Sequence, residues 1–211
     1  MTTVLLAGAT GLVGQALLDH YDTNRLTITT VGRRATERVS EEITTDFRSP
    51  LSLPPADIAI CALGTTIASA GSKDAFRAID HDAVLSFARA AQASGVHHFL
   101  VVTAVGASPK ANVFYSQVKG ETERDLEALG FRRLDIAQPG LLLGVREERR
   151  PAEALMQTMD SLLRHFLKGP LDCYAGIPIP VVGRALLALC KEADAGVFRH
   201  ENRALHRLSG T

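Results

Sequence analysis

The stretch Leu5–Gln15, LLAGATGLVGQ, decides how the rest of the chain is read. A hydrophobic run beginning at Val4 breaks into glycines at positions 8, 11 and 14. It resumes as a helix-period segment, with Val13, Ala16, Leu17 and Tyr21 spaced for one face. A strand ending at Gly8 and a helix beginning near Gly11 ask three things of the loop between them: a tight turn, room for a close ligand, and close packing of helix on strand. Glycine meets each need. The helix start offers unpaired amide hydrogens and the positive end of its dipole, which together suit a pyrophosphate. Gly8, Thr10, Gly11, Leu12, Val13 and Gly14 are therefore the candidate phosphate cradle. Three glycines also serve ordinary tight turns. Their place after the first strand, at the head of a βαβ unit, favours the cradle.

Outward from this stretch, short apolar runs at Leu26–Val31, Ile43–Asp46, Ile58–Ala62, Phe99–Thr103 and Leu134–Ala137 take turns with helical patterns at Lys73–Ser94 and Asn112–Leu129. Several runs are continuous rather than alternating, as in strands covered on both faces. The pattern predicts an α/β fold of one domain over residues 1–211, a Rossmann-like doubly wound parallel sheet with helices on both faces. After Pro139 the rhythm lapses. The charged turn Arg146–Pro151, an amphipathic segment Ala152–Leu167, and the Pro-containing Gly176–Val182 leading into a helix that ends near Ala193 make up a tail of about 70 residues. Residues 140–211 are expected to form a small C-terminal segment that caps the sheet edge where open α/β folds place their ligands.

With 23 basic against 23 acidic residues, the chain has no charge field to attract nucleic acid or an anionic membrane. No apolar run approaches the roughly 20 residues that span a bilayer, and the start lacks a signal-peptide pattern. A cytoplasmic protein acting on a small molecule is the expectation. Cys61, Cys173 and Cys190 are too scattered for a disulfide framework or a zinc site, so no metal is expected.

The second strand ends in Thr30–Arg34, TVGRR, where a site preferring NAD offers an acidic residue to the ribose. Arg33 and Arg34 can instead pair with a 2′-phosphate and stack on adenine, so NADP(H) is favoured over NAD(H). The plain alternative is two solvated loop charges.

The catalytic signal is FYSQVKGETE, residues 114–123, in which Tyr115 and Lys119 stand four apart on one face of a predicted helix. That helix follows the fifth strand, beside the sheet edge where a nicotinamide would lie. A phenol ordinarily ionises near pH 10 and is a poor acid-base catalyst at neutrality, and a neighbouring ammonium favours its ionised form. Tyr115 would then protonate a carbonyl oxygen as hydride arrives, and Lys119 would also reach the nicotinamide ribose. The plain alternative is an exposed pair on a solvated helix face.

The GxxGxxG spacing resembles that of extended and atypical short-chain dehydrogenases/reductases. In those enzymes a Ser or Thr at the end of the fifth strand holds the substrate oxygen. Thr103 is the candidate here and Ser108 the reserve. Asp46 and Phe47 match the place where such reductases contact adenine.

The resemblance sharpens with CALGTT (61–66), AIDHDAV (78–84), FYSQVKGE (114–121), QPGLLL (138–143) and REERRPAE (146–153), which look like consecutive blocks of one atypical family, the Tat-interacting-protein-like oxidoreductases. It implies an NADP-type cofactor, with Leu63, Gly64 and Thr65 along the adenosine ribose and Gly140 with Leu141 near the nicotinamide. Two positions depart from the family pattern: Ala104 stands where a hydroxyl residue is usual, and Gln138 where an Arg is usual.

An NADP(H)-dependent oxidoreductase acting on a carbonyl or alcohol is the leading expectation. A cofactor-sensing regulatory module with little catalysis is the alternative. A nucleotide-sugar epimerase or dehydratase ranks last, because such enzymes need a larger substrate domain.

Overall fold

The computed structural model describes residues 1–144 and 173–210. At its centre lies β1 (Thr2–Ala7), with residues 4–7 all buried. Parallel neighbours flank it on both sides, β2 (Leu26–Gly32) and β4 (Ile58–Cys61), paired as Val4 with Ile28 and Val4 with Ile58. The main sheet runs β3-β2-β1-β4-β5-β6-β9, where β3 is Glu41–Thr44, β5 His98–Val102, β6 Arg133–Gln138 and β9 Gly196–Glu201. All six pairings are parallel. The chain winds outward to β3, then crosses back over β1 to β4. That reversal opens a crevice at the carboxyl ends of β1 and β4, the switch point at which such sheets bind ligands.

Helices cover both faces, as the continuous strands β4, β5 and β6 require: every residue in them is buried. On one face α1 (Leu12–His20), α6 (Ile179–Leu189) and α7 (Asn202–Leu208) pack around Leu6, Ile60 and Leu100. The α1–α6 contact is close because Gly183 has no side chain; a Cβ there would stand 3.0 Å from backbone atoms of Ala16 and Leu17. On the other face α4 (Val84–Ala93) and α5 (Phe114–Glu127) pack around Leu5, Ala59 and Phe99.

After the short α2 (Ile67–Ala70), the predicted helix over 73–94 is instead three joined pieces, α3 (Lys73–Arg77), a π-helical turn (Ala78–Ala83) and α4. A wide turn of this kind re-aims the residues within it. The expected third strand sits two residues earlier, at Glu41–Thr44, which leaves Asp46 in the following turn.

The tail both reaches the crevice and adds to the sheet. α6 begins at Ile179, with Pro180 in the first turn where its missing N–H costs nothing. The chain then returns to the sheet as β9, a seventh parallel strand. Its sequence, GVFRHE, lacks an apolar run because β9 is an edge strand with one side open to solvent. Among the described residues of the tail, 140–144 and Tyr174 line the crevice as a cap would, and the small pair β7 (Leu142–Leu143) and β8 (Ile177–Pro178) joins the two stretches. The expected turn at 146–151 and amphipathic segment at 152–167 fall outside the described residues.

Candidate active site

The three glycines divide their labour. Gly8 adopts φ +85°, and a Cβ there would lie 2.4 Å from the Ala62 carbonyl, so this position turns the chain where β1 meets the loop after β4. A Cβ on Gly14 would lie 2.3 Å from the Gly8 carbonyl oxygen, so this position lets α1 sit directly on the turn. Gly11 is exposed, and a Cβ there would meet only that same oxygen, at 3.2 Å, with the Ala62 oxygen next at 3.9 Å. It lines the crevice together with Leu12 and Val13. Gly11 caps α1 without a side-chain acceptor, so the first-turn amides are left to a ligand. These residues fit the diphosphate of a dinucleotide.

Beyond the cradle the crevice widens to a cleft of about 620 Å³, within the usual range for small-molecule sites. The loop after β4 supplies Leu63, Gly64, Thr65 and Thr66. The end of β5 supplies Thr103, Ala104 and Val105. α5 supplies Tyr115 and Lys119, and the cap supplies Gly140, Leu141 and Tyr174. Residues that the sequence places on separate segments are thus brought to one cavity. Arg33, Arg34, Asp46 and Phe47 are not among its walls. The two arginines are exposed at the end of β2. The Asp46 carboxylate accepts the Arg48 N–H at 3.0 Å. Phe47 is 7% exposed and packs edge-on against Phe87, so its ring belongs to the core. Ser108 faces the neighbouring turn, where its Oγ accepts the Lys110 N–H at 3.3 Å, and does not line the cleft.

Tyr115 is half-buried at the start of α5 and rests on Phe76 of α3, with ring centroids 5.4 Å apart. One turn on, Lys119 is 4% exposed, and its Nζ stands 2.7 Å from Oδ1 of Asp80, which is fully buried in the π-helical turn. The other Asp80 oxygen accepts the Thr65 N–H at 2.9 Å. The Asp80 carbonyl accepts the Thr122 hydroxyl, also at 2.9 Å. Burial alone would push the Lys119 ammonium down. Asp80, with a smaller contribution from Tyr115, more than offsets this, and the net shift is upward. Lys119 is therefore held charged beneath Tyr115. The Asp80 carboxyl is itself pushed up by burial, against the pull of Lys119.

A second buried carboxylate, Glu123, lies one turn further along α5. It accepts the Thr103 hydroxyl at 2.6 Å and both of its oxygens accept from Gln138 Nε2 at 3.0 Å. Burial raises its pKa, and the Thr103 and Gln138 hydrogen bonds oppose the rise. A threonine has one O–H proton. With that proton committed to Glu123, Thr103 lines the cleft without a hydrogen to offer a substrate oxygen.

Asp80, Glu123 and Tyr174 escaped the sequence reading. Asp80 had a visible signal: it stands four residues from both Phe76 and Val84, a carboxylate on the apolar face of a helical pattern. Glu123 likewise follows Lys119 by four. Tyr174 had none, because its place depends on how the cap folds back. A Cβ on Gly140 would come within 2.3 Å of the Ala175 carbonyl oxygen, and Asn202 clamps the two strands by accepting the Gly140 N–H at 2.9 Å and donating to Ala175 O at 2.8 Å.

No family model matches the chain. It is 39% identical over 216 residues to the protein fmp52, mitochondrial, of Emericella nidulans, covering 93% of this chain and 92% of that one. It is 36% identical over 223 residues to the protein HTATIP2 of Rattus norvegicus, covering 98% and 88%. Among solved structures it is similar to the human epimerase family protein SDR39U1 with NADPH, at 20% identity and a TM-score of 0.66, covering 93% of this chain and 73% of that one. It is also similar to a UDP-glucose 4-epimerase from Thermotoga maritima, at 15% identity and a TM-score of 0.70, covering 99% and 82%. At these identities the structures bear on the fold alone, and they share the Rossmann-like architecture. With two relatives above a third identical over nearly full length, the chain belongs to the Tat-interacting-protein-like family of atypical short-chain dehydrogenases/reductases.

Proposed function

We propose that this protein is an NADP(H)-dependent oxidoreductase that interconverts a carbonyl and an alcohol on a small molecule. The observation that carries the reading is the stack Tyr115, Lys119, Asp80, placed in the same cleft as the glycine cradle. The cofactor, when bound, supplies or accepts the hydride. The chain's own residues handle the rest. The first-turn amides of α1 and the bare backbone at Gly11 hold the diphosphate. Tyr115 delivers its phenolic proton to the carbonyl oxygen, and the Lys119 ammonium stabilises the phenolate left behind. Asp80 keeps that ammonium charged and fixed against the Thr65 amide.

NADP(H) over NAD(H) is part of the proposal. Its support is that Arg33 and Arg34 stand exposed at the end of β2, as residues waiting for a 2′-phosphate would, while Arg38 nearby is taken up by Asp19 at 2.7 Å. SDR39U1 was solved with NADPH, and another fold neighbour, MoeE5, with NAD. We also place the chain in the cytoplasm. No helix among the described residues is long and apolar enough to cross a membrane, although the fungal relatives are named mitochondrial.

The test is oxidation of NADPH with a panel of aldehydes, ketones and quinones, together with calorimetry of both cofactors. Turnover that falls at least a hundredfold in Tyr115→Phe supports the proposal. Cofactor binding with no turnover across the panel refutes it and favours the second reading, a redox-sensing module with little catalysis. The observation behind that reading is the absence of a free hydroxyl donor at the end of β5, where Thr103 serves Glu123 and residue 104 is Ala.

A further inference from the structure

Resting on the oxidoreductase reading, we propose that Tyr174 supplies the second hydrogen bond to the substrate oxygen and a stacking face for the substrate, and that the substrate is an uncharged aromatic carbonyl compound. A reductase of this design needs a second donor beside the proton-delivering phenol, to hold the carbonyl oxygen in line. The end of β5 has none: the Thr103 proton goes to Glu123, and Ala104 has no hydroxyl. Among the described residues lining the cleft, the remaining side-chain hydroxyls belong to Thr65, Thr66, Tyr115 and Tyr174. The two threonines sit beyond β4, on the side of the cradle, and their hydroxyls donate elsewhere: Thr66 to the Ser69 Oγ at 2.9 Å and Thr65 to the Thr66 carbonyl at 3.5 Å. That leaves Tyr174.

Its position fits the vacancy left by Ala104. The turn after β5 passes through Gly106 at φ +76°, and a Cβ on Gly106 would come within 3.3 Å of the Tyr174 Oη and 3.5 Å of its ring edge. The phenol oxygen therefore stands against the turn two residues beyond Ala104, and both residues line the same cleft. Tyr174 is nonetheless 50% exposed, and an aromatic ring left half-uncovered in a cleft has a face available for a partner. Ala104, Val105, Leu141, Leu142 and Leu143 make the adjoining walls apolar, and Leu141 is also left 38% exposed.

Charge points the same way. The only charged side chains among the described lining residues are Lys119 and Asp80, which neutralise each other at 2.7 Å. A carboxylate or phosphate on the substrate would be desolvated against these apolar walls with no free cation among the described lining residues to meet it. A flat, uncharged ring would instead bury its apolar surface against Tyr174.

Benzaldehyde, hexanal and 4-carboxybenzaldehyde are the probes, with NADPH for turnover. Occupancy is read separately by saturation-transfer NMR of benzaldehyde ring protons on the protein loaded with NADP⁺. The expected order of kcat/KM is benzaldehyde first and 4-carboxybenzaldehyde last. Tyr174→Phe keeps the ring and removes the donor, and should lower the benzaldehyde value about fivefold to tenfold, the worth of one hydrogen bond. Adding Ala104→Ser to that variant should restore it, an outcome that a merely structural role for Tyr174 would not produce. Tyr174→Ala, checked for folding by circular dichroism, should lose the benzaldehyde ring signal and should reduce benzaldehyde turnover at least tenfold more than hexanal turnover. Equal losses for the two aldehydes, a preference for the carboxylate, or failure of the serine rescue would each overturn the proposal. Turnover that depends on Tyr115 and ignores Tyr174 overturns this inference and leaves the oxidoreductase reading standing. If wild type turns over nothing, that reading fails, and the NMR signal alone decides: loss in Tyr174→Ala supports the aromatic site, and no signal in wild type ends it.

Discussion

The ion pair between Asp80 and Lys119 gives the sharpest test of how the cleft works. Both side chains are almost wholly buried, at 0% and 5% exposure, and they meet at 2.7 Å. Removing one partner of such a pair leaves an uncompensated charge out of water and costs about 3–5 kcal/mol. Asp80→Asn and Lys119→Met should each lower stability by that amount, which for a chain of this size is a fall in Tm of roughly 6–20 °C. Replacing both with apolar residues, Asp80→Leu with Lys119→Met, should bring stability back to within about 1–2 kcal/mol of wild type, because no buried charge is left behind. The cycle should therefore report a coupling of several kcal/mol by urea unfolding. The sign in pH follows from the raised Lys119 value: its stabilisation is complete below the ordinary 10.5 and is lost only as the pH climbs through the higher folded value. In Asp80→Asn the upward push is gone while burial remains, so the ammonium deprotonates at lower pH and the alkaline limb of activity moves down with it. Single variants within about 1 kcal/mol of wild type, or single costs that simply add, would refute the claim that Asp80 holds Lys119 charged.

The cradle glycines should separate by role: Gly14→Ala and Gly8→Ala drive a Cβ to within 2.4 Å of backbone and should destabilise the fold in urea, whereas Gly11→Ala should leave the unfolding midpoint nearly unchanged and weaken cofactor binding by calorimetry. Asp135→Asn should cost about 3–5 kcal/mol at neutral pH, since this buried carboxylate takes the Arg133 guanidinium at 2.6 and 3.0 Å and both His98 and His200 at 2.7 Å. Burial pushes Asp135 up, but these partners together hold it well below the carboxylate range. Its stabilisation is present above the ordinary 3.8 and lost as the pH falls through the folded value, so the wild-type advantage over Asp135→Asn should shrink in acid unfolding below about pH 4. Arg33→Ala with Arg34→Ala should weaken NADP⁺ binding about tenfold or more and leave NAD⁺ binding within about threefold, because a 2′-phosphate loses a charge-assisted pair that NAD⁺ never made. Equal losses for the two cofactors would remove the argument for NADP(H).

The parallel core was legible because its strands are buried on both faces and are written as unbroken apolar runs. IAIC in β4 and HFLVV in β5 are the clearest. What was illegible obeys different physics. β9 is an edge strand whose polar residues face water and its neighbours' ion pairs, so GVFRHE carries no strand period. The π-helical turn hides within a helical pattern because its flanks, Phe76 and Val84, keep nearly the helix spacing while the turn between them widens. Phe47 illustrates the converse. Its sequence position matches an adenine contact, but its backbone at φ +63° sends the ring under the sheet to Phe87.

The site divides along the same line. Tyr115 and Lys119 could be read from spacing because a four-residue interval on a helix fixes a shared face whatever surrounds it. What each polar group does with its hydrogen could not, because that depends on partners from distant segments. Lys119 is held by a carboxylate 39 positions earlier and Thr103 by one 20 positions later. Two buried acids, Asp80 and Glu123, thus occupy two of the groups that a linear pattern would assign to ligands. Glu123 stands on Tyr115's own helix and Asp80 on the π-helical turn beside it, and each is in turn met by a backbone amide or by Gln138. Within this network the Thr103 proton is spent on Glu123, while the Lys119 ammonium keeps donors for the Tyr115 phenolate. The burden of recognising a substrate oxygen then falls on hydroxyls without an internal partner, which among the described lining residues are the phenols of Tyr115 and Tyr174. Glu123→Leu removes the acceptor of the Thr103 hydroxyl, and the cleft then regains a donor at the end of β5. The fivefold to tenfold dependence on Tyr174, about one hydrogen bond's worth, should then relax toward unity, measured as kcat/KM for benzaldehyde in Glu123→Leu with and without Tyr174→Phe. An undiminished Tyr174 effect in that background would mean that the two hydroxyls never competed for the same oxygen.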